Sequence, residues 1–441
     1  MTTKSVKVSR KHYFTLPLNY SFIQTLGSGA YGVVVKVRDS TTDKIYAIKK
    51  CQNIYSNYST SLRTLREIRI LGLVRHPFIV NIKKVLPLQY NAQSCDLYYS
   101  MQLMSCDLSS ILSSEVNVEV QRIMFQLLQG VEYLHKSDII HRDLKPKNIL
   151  ISNDLNHIKL CDFGLAKRVA GRGNCCNYNI NNTEYITTRW YRSPEVLCFC
   201  KTYSFEIDLW STGCILGEMI FGRPMFTGDC GAQQIEFIFN RLGKPTSSFI
   251  DSVNRKDVQN KLKAFPSREH DFKDYISDER DLTELMNNLL LTDPSKRWSA
   301  TKALNSNFFV TLRNGALDHR ALAPLEVSFE EFSFELNCKT TPHRQDIIKL
   351  EVDKEIAKYN SKVEDDAYAT GVDMSNSFEE GISHEEEKAI VEEGCPNRRQ
   401  NEVDSVTSTF TSTSSLLKLR QLLHSMKLAI KNFFLLRSRG R

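Results

Sequence analysis

Four side chains in a short stretch could move a phosphoryl group. They lie in Ile140-His141-Arg142-Asp143-Leu144-Lys145-Pro146-Lys147-Asn148-Ile149-Leu150 and in Asp162-Phe163-Gly164. Phosphoryl transfer to a hydroxyl needs a carboxylate to align that hydroxyl and take its proton. It also needs a cation on the transferring phosphate and oxygen ligands for a divalent metal. Asp143 can serve as the carboxylate and Lys145 as the cation, while Asn148 and Asp162 offer the oxygens. The competing reading is two unrelated polar turns between buried strands.

Such a site also needs something to hold a nucleotide. From Tyr20 the pattern is strand-like, with Ile23 and Leu26 leading into Gly27-Ser28-Gly29-Ala30-Tyr31-Gly32 and then Val33-Val34-Val35-Lys36-Val37. Dinucleotide-binding folds share the G-x-G-x-x-G spacing but follow it with a helix. Here a β-branched run follows, so a glycine hairpin between two strands is expected, with backbone N–H groups free to approach phosphates. Lys49 falls on the next strand, Tyr46-Ala47-Ile48-Lys49-Lys50. The segment Ser61 to Leu71 puts Leu65, Ile68 and Leu71 on one helical face and offers Glu67 as an acid for that lysine.

Taken together, the catalytic and metal loops, the glycine loop and Lys49 resemble those of eukaryotic protein kinases. The resemblance implies an α+β bilobal fold: a small β-rich lobe, a larger helical lobe, and ATP with Mg2+ between them. It implies that Lys49 binds the α- and β-phosphates and pairs with Glu67. Val34 and Ala47 would cover the adenine, with Leu150 beneath it. Leu97 to Met104 would be a buried strand entering the hinge, with Met101 as gatekeeper, the backbone up to Met104 at the adenine edge, and Asp107 near the ribose. Core packing is the alternative for both methionines. Val120 to Lys136 has helical spacing and delivers the chain to His141.

The segment Arg168 to Asn182 is polar and rich in glycine and asparagine, as an activation loop would be. It ends in Thr183-Glu184-Tyr185-Ile186-Thr187-Thr188-Arg189-Trp190-Tyr191-Arg192-Ser193-Pro194-Glu195. The T-E-Y triplet before T-R-W-Y-R-S-P-E resembles mitogen-activated protein kinases of the extracellular-signal-regulated type, and so does Arg63-Thr64-Leu65-Arg66-Glu67-Ile68. This likeness runs from about Tyr20 to about Tyr359. It implies activation by an upstream dual-specificity kinase that phosphorylates Thr183 and Tyr185, and reversal by phosphatases. Each phosphate adds about −1.5 to −2 charge. By the same resemblance Arg66, Arg142 and Lys167 would meet the phosphothreonine, and Arg189 and Arg192 the phosphotyrosine. Substrates would be proteins with Ser/Thr-Pro sites, in the cytoplasm and nucleus. Thr187 departs from the small apolar residue expected in the wall facing that proline, and Thr188 would bond Asp143 or Lys145. Asp208 would tie down backbone near His141, Arg297 would pair with Glu195, and Gly243 to about Asp281 would form the insert of this kinase group. Leu312 to Arg320 offers one acid among basic neighbours, so the family's acidic docking patch is poor here. The rivals are a cyclin-dependent-like kinase and a pseudokinase scaffold; the second predicts a missing catalytic part, and none is missing.

The rest of the chain sets bounds. With 441 residues, 41% hydrophobic and 25% charged, there is room for one two-lobed domain and its extensions. A net charge of +7 suits anionic ligands such as nucleotides without arguing for nucleic acid. No apolar run reaches membrane-span length and no signal-peptide core follows Met1, so an intracellular, soluble chain is expected with its 12 cysteines as thiols. No zinc site is assigned to Cys175-Cys176 or Cys198/Cys200, which lack paired C-x-x-C spacing. The expected organisation is a basic, mobile arm over 1–19, the small lobe over 20–104, the large lobe over 105–312 and an extension over 313–359. An acidic then Ser/Thr-rich disordered linker over 360–415 would follow. Residues 416–441 form a basic amphipathic pattern suited to an anionic membrane, a calmodulin-like partner, or docking on the chain's own domain.

Overall fold

The computed structural model describes residues 3–8, 12–29, 32–90, 95–114, 119–169, 176–177, 189–267, 271–272, 276, 279–325, 332 and 343–368. Residues 1–361 make up one unit; of the second, 362–441, only 362–368 are described.

The small lobe is a five-stranded antiparallel sheet in the order β3-β4-β5-β7-β6. Its strands are β3 (Tyr20–Gly29), β4 (Gly32–Asp39), β5 (Ile45–Cys51), β6 (Ile82–Tyr90) and β7 (Cys95–Gln102). β-Branched residues dominate β4 because a pleated, half-buried surface suits them. Val33, Val35 and Val37 are buried, while Val34 points the other way and is partly exposed. Between β5 and β6 lies α1 (Tyr58–Leu73), started by Asn57, whose side chain accepts from the Thr60 N–H at 3.0 Å.

The N-terminal residues differ from the mobile arm expected of them. β1 (Thr3–Lys7) and β2 (Tyr13–Pro17) pair as an antiparallel hairpin. Phe14 and Leu16 are fully buried against Val33, Val35, Ile48 and Tyr98. Lys50 donates to the Tyr13 carbonyl at 2.8 Å, pairs with Asp96 at 2.9 Å, and lies over the Phe14 and Tyr98 rings. The basic composition hid two apolar anchors at alternate positions, which suffice to dock a hairpin.

In the large lobe the strands are short: β8 (Cys106–Asp107), β9 (Ile139–Ile140), β10 (Ile149–Ile151), β11 (Ile158–Leu160), β12 (Lys167–Arg168), β13 (Cys176–Asn177) and β14 (Thr202–Tyr203). The helices are α2 (Leu108–Leu112), α3 (Val120–Lys136), α4 (Pro194–Leu197), α5 (Glu206–Phe221), α6 (Gly231–Leu242), α7 (Ser247–Ser252), α8 (Lys256–Lys263), α9 (Arg280–Leu289) and α10 (Ala300–Leu304). α3 and α5 are the buried pair. Residues Ile123 to Leu134 and Ile207 to Glu218 are buried without a break, as expected of helices covered on every side. α5 stops at Gly222, whose φ of +68° suits a residue without a Cβ. α11 (Arg344–Tyr368) extends the helix expected from Asp346 to Tyr359 by two residues at its start and nine at its end. No helix among the described residues is long and apolar enough to cross a membrane.

Candidate active site

Local strand geometry brings the nucleotide-side residues together. Val34 lies opposite Lys49 across β4 and β5, and Ala47 opposite Met101 across β5 and β7. Leu150 lies opposite Asp107 across β10 and β8. Ala47 and Met101 are 5% and 7% exposed, so Met101 both packs the core and borders the site. Met104 is buried two residues beyond β7. Asp107 caps α2 by accepting from the Ser110 N–H at 3.0 Å. Gly27 and Gly29 pair with Val34 and Gly32, closing the glycine hairpin; Ser28 lies between them, and Ala30 and Tyr31 fall outside the described residues.

Lys49 reaches Glu67 on α1, Nζ to Oε1, at 2.5 Å. Burial opposes the lysine's charge, yet the Glu67 carboxylate overrides it and holds the ammonium well above the ordinary lysine value. Lys49 therefore keeps its charge, ready to be presented to a phosphate.

The catalytic loop is fixed from below. Asp208, at the buried start of α5, accepts from the backbone N–H groups of His141 and Arg142, both at 2.9 Å, and meets His135 Nε2 at 2.9 Å. Burial would raise the Asp208 carboxyl, but hydrogen bonds from His135 and the His141 N–H prevail and hold it below the usual range. Arg142 adopts a left-handed φ of 71°, a strained turn that these bonds stabilise. Asp143 follows directly. Its Oδ2 accepts from Lys145 Nζ at 2.6 Å and from Asn148 Nδ2 at 3.1 Å, and Asn148 also donates to the Asp143 carbonyl at 2.8 Å. One carboxylate, one cation and one amide thus share a single point.

With its nitrogen held by Asp143, the Asn148 side chain keeps its oxygen for another partner. Asp162 takes a left-handed φ of 65° beside it, and the two loops are joined by the Cys161 N–H donating to the Asn148 carbonyl at 3.0 Å. His141 supports the same loop, meeting the Cys161 carbonyl at 3.1 Å and packing on Phe163 at 4.8 Å between ring centroids. Asn148 and Asp162 would supply two oxygen donors of the hard kind Mg2+ takes, and the ion held there would neutralise phosphate charge. The donor set therefore fits a metal–nucleotide complex. Burial pushes the Cys161 thiol well above its usual range, leaving it a poor nucleophile.

The residues expected around the regulatory phosphates are distributed as follows. Arg66 is buried on α1, Arg142 donates to the Leu165 carbonyl at 3.2 Å, and Lys167 starts β12. Arg189 donates to the Asp229 carbonyl at 3.3 Å and, with Arg192, lines a cavity of about 300 Å³. Thr183 and Tyr185, with Thr187 and Thr188, lie outside the described residues. Glu195 and Arg297 form the expected pair at 2.9 Å, almost fully buried. Lys147 is exposed. In the weak docking patch Asp318 is engaged by Arg320, whose hydrogen bond holds its carboxyl well below the usual range. Sequence reasoning missed His135. Its local sign is no more than a polar residue in the last turn of α3, shared with Lys136.

The protein kinase domain family matches residues 20–309. Among curated proteins, the chain is 34% identical over 338 residues to Mitogen-activated protein kinase 7 of Arabidopsis thaliana, covering 74% of this chain and 90% of that one. It is 35% identical over 319 residues to Mitogen-activated protein kinase 2 of the same plant, covering 68% and 82%. It is also 35% identical over 319 residues to Mitogen-activated protein kinase homolog NTF3 of Nicotiana tabacum, covering 70% and 84%. With the catalytic parts in place, these likenesses make the chain a serine/threonine protein kinase that belongs to the mitogen-activated protein kinase family.

Proposed function

We propose that this kinase transfers the γ-phosphoryl group of ATP, with Mg2+, to Ser/Thr-Pro sites in proteins, and that an upstream dual-specificity kinase activates it by phosphorylating Thr183 and Tyr185. The observation that carries the reading is the Asp143–Lys145–Asn148 cluster beside Asp162 and the Lys49–Glu67 contact. In this reading Asp143 Oδ2 aligns the substrate hydroxyl and accepts its proton, while Lys145 offsets charge on the transferring group. Lys49 and the glycine-loop amides hold the remaining phosphates, and Asn148 and Asp162 would hold the metal, which neutralises charge on the phosphates. Phosphates on Thr183 and Tyr185 would draw on the basic residues Arg66, Arg142, Lys167, Arg189 and Arg192 and so order the loop. Phosphatases would reverse this, in cytoplasm and nucleus. For 416–441 the reading is a helix for an anionic membrane or a calmodulin-like partner; liposome co-sedimentation unchanged by deleting it removes the membrane version.

The test measures phosphorylation of a Ser-Pro protein by the purified chain before and after treatment with an activating kinase, with Asp143→Ala as control. Turnover that rises with phosphate on Thr183 and Tyr185, and disappears in the control, is the expected result. ATP binding without transfer in either form would overturn it in favour of a scaffold.

A further inference from the structure

Directly opposite residues on antiparallel strands turn their side chains to the same face of a sheet. Lys49 on β5 lies opposite Tyr99 on β7, and Tyr99 in turn lies opposite Val85 on β6. Lys49 reaches Glu67 from that face, so Tyr99 shares the side of the sheet that looks at α1. Tyr99 is 1% exposed, and its neighbours along the same face, Leu97 and Met101, are buried too. An aliphatic side chain would fill such a place. A phenol there must find a partner for its hydroxyl, because a buried donor left unsatisfied is costly.

The partner is Glu67. The Tyr99 hydroxyl donates to the Glu67 carboxylate, and burial, reinforced by that carboxylate, pushes the phenol well above its usual range and keeps it a donor. Lys49 Nζ, 2.5 Å from Glu67 Oε1, lies 5.9 Å from the centroid of the Tyr99 ring. Glu67 thus receives one donor from β5 and one from β7, adjacent strands within the five-stranded sheet. The residues of α1 next to Glu67 turn to α11 instead. Arg69 donates to Glu355 at 2.8 Å and to Glu351 at 3.2 Å, and the Tyr359 hydroxyl donates to the Ile68 carbonyl at 2.7 Å. The last side-chain torsion of a glutamate is broad, so one contact with a long lysine leaves the carboxylate free to turn. A second donor, on a rigid ring fixed to a buried strand, removes that freedom.

We propose that Tyr99 is a positioning residue for phosphoryl transfer: its hydroxyl fixes the Glu67 carboxylate, which in turn aims the Lys49 ammonium at the nucleotide phosphates. Tyr99 touches no reacting atom and acts through Glu67. This rests on the kinase reading of the site and adds to it a residue that the Lys49–Glu67 pair alone does not call for.

Tyr99→Phe in the full chain keeps the buried ring and removes only the hydroxyl. Tyr98→Phe is the control, because it removes a buried hydroxyl from the opposite face of the same strand, where Lys50 lies over the ring. Turnover is measured well below each variant's melting temperature. Calorimetric titration gives the affinities for ATP with Mg2+ and for adenosine, which has no phosphates. Misplacing a catalytic group by about 1 Å can cost 10²-fold, so a kcat loss of about five- to ten-fold is expected for Tyr99→Phe, with the protein-substrate KM unchanged. ATP affinity should fall several-fold while adenosine affinity holds, because only the phosphates meet Lys49. In a Glu67→Ala background Tyr99→Phe should lower ATP affinity no further, since both changes break one line of contacts. Tyr98→Phe should keep its kcat. Wild-type kcat or wild-type ATP affinity in Tyr99→Phe overturns the proposal. So does an equal loss for ATP and adenosine, a further loss on top of Glu67→Ala, or a kcat loss in Tyr98→Phe as large as that in Tyr99→Phe. If the chain proves unable to turn over at all, the proposed activity fails, yet the comparison of ATP with adenosine still decides this inference.

Discussion

Asp143 takes two donors on one oxygen, and its neighbours hold it as an acceptor. Asp143→Asn keeps the shape but cannot take a proton, so kcat should fall by about 10²–10⁴-fold while nucleotide still binds; comparing turnover with binding of a fluorescent ATP analogue checks both halves. His76 shows the same dependence on surroundings without catalysis. Its Nδ1 accepts from the Phe78 N–H at 3.2 Å, its ring packs on Tyr133, and burial brings its pKa down to about 3. The folded chain therefore keeps His76 neutral while the unfolded chain protonates it from about pH 6.5 downward. Below that pH the unfolded state binds the extra proton, so stability falls as pH drops toward 3, by up to about 1.4 kcal/mol per pH unit. In His76→Asn, denaturant unfolding between pH 6.5 and 5 should show a flatter slope. An unchanged slope would mean the ring titrates normally in the fold.

At the scale of elements, what was legible depended on whether the signal was local. The catalytic loop, the Lys49–Glu67 pair and α3 were readable because fixed spacings carry them, and the Glu195–Arg297 pair came with the family motifs. The docked hairpin was not. Phe14 and Leu16 are only two residues in a basic stretch, and their partners come from β4, β5 and β7. Nor did any local pattern announce the pairing of Arg69 with Glu351 and Glu355. Their separations of 282 and 286 residues exceed any helical or strand period. One glycine of the turn between β3 and β4 can be tested directly. Gly32 has φ +143°, and a Cβ there would strike the Lys50 carbonyl. Gly32→Ala should cost about 1–3 kcal/mol of local strain and raise the ATP KM, read from initial rates against ATP concentration. An unchanged KM would show that the turn does not shape the nucleotide site.

In the molecule as a whole, a few buried charges join segments far apart in sequence. Arg297 pairs with Glu195 at the start of α4 and donates to the Leu291 carbonyl at 2.9 Å as well as to the Glu206 carbonyl that opens α5. Arg297→Met would leave Glu195 buried without its partner, a loss of about 3–5 kcal/mol in urea unfolding. A smaller effect would mean that water reaches the site. Ile68 and Tyr359 are 291 residues apart, which has a consequence for how the chain is made. A ribosome adding about 5–20 residues per second needs roughly 15–60 s to pass from one to the other. Through that interval α1 exists without its far clamp, with the apolar and charged face that α11 will cover still open to water. Among the described residues, the last-made helix thus covers a face of the first-made one.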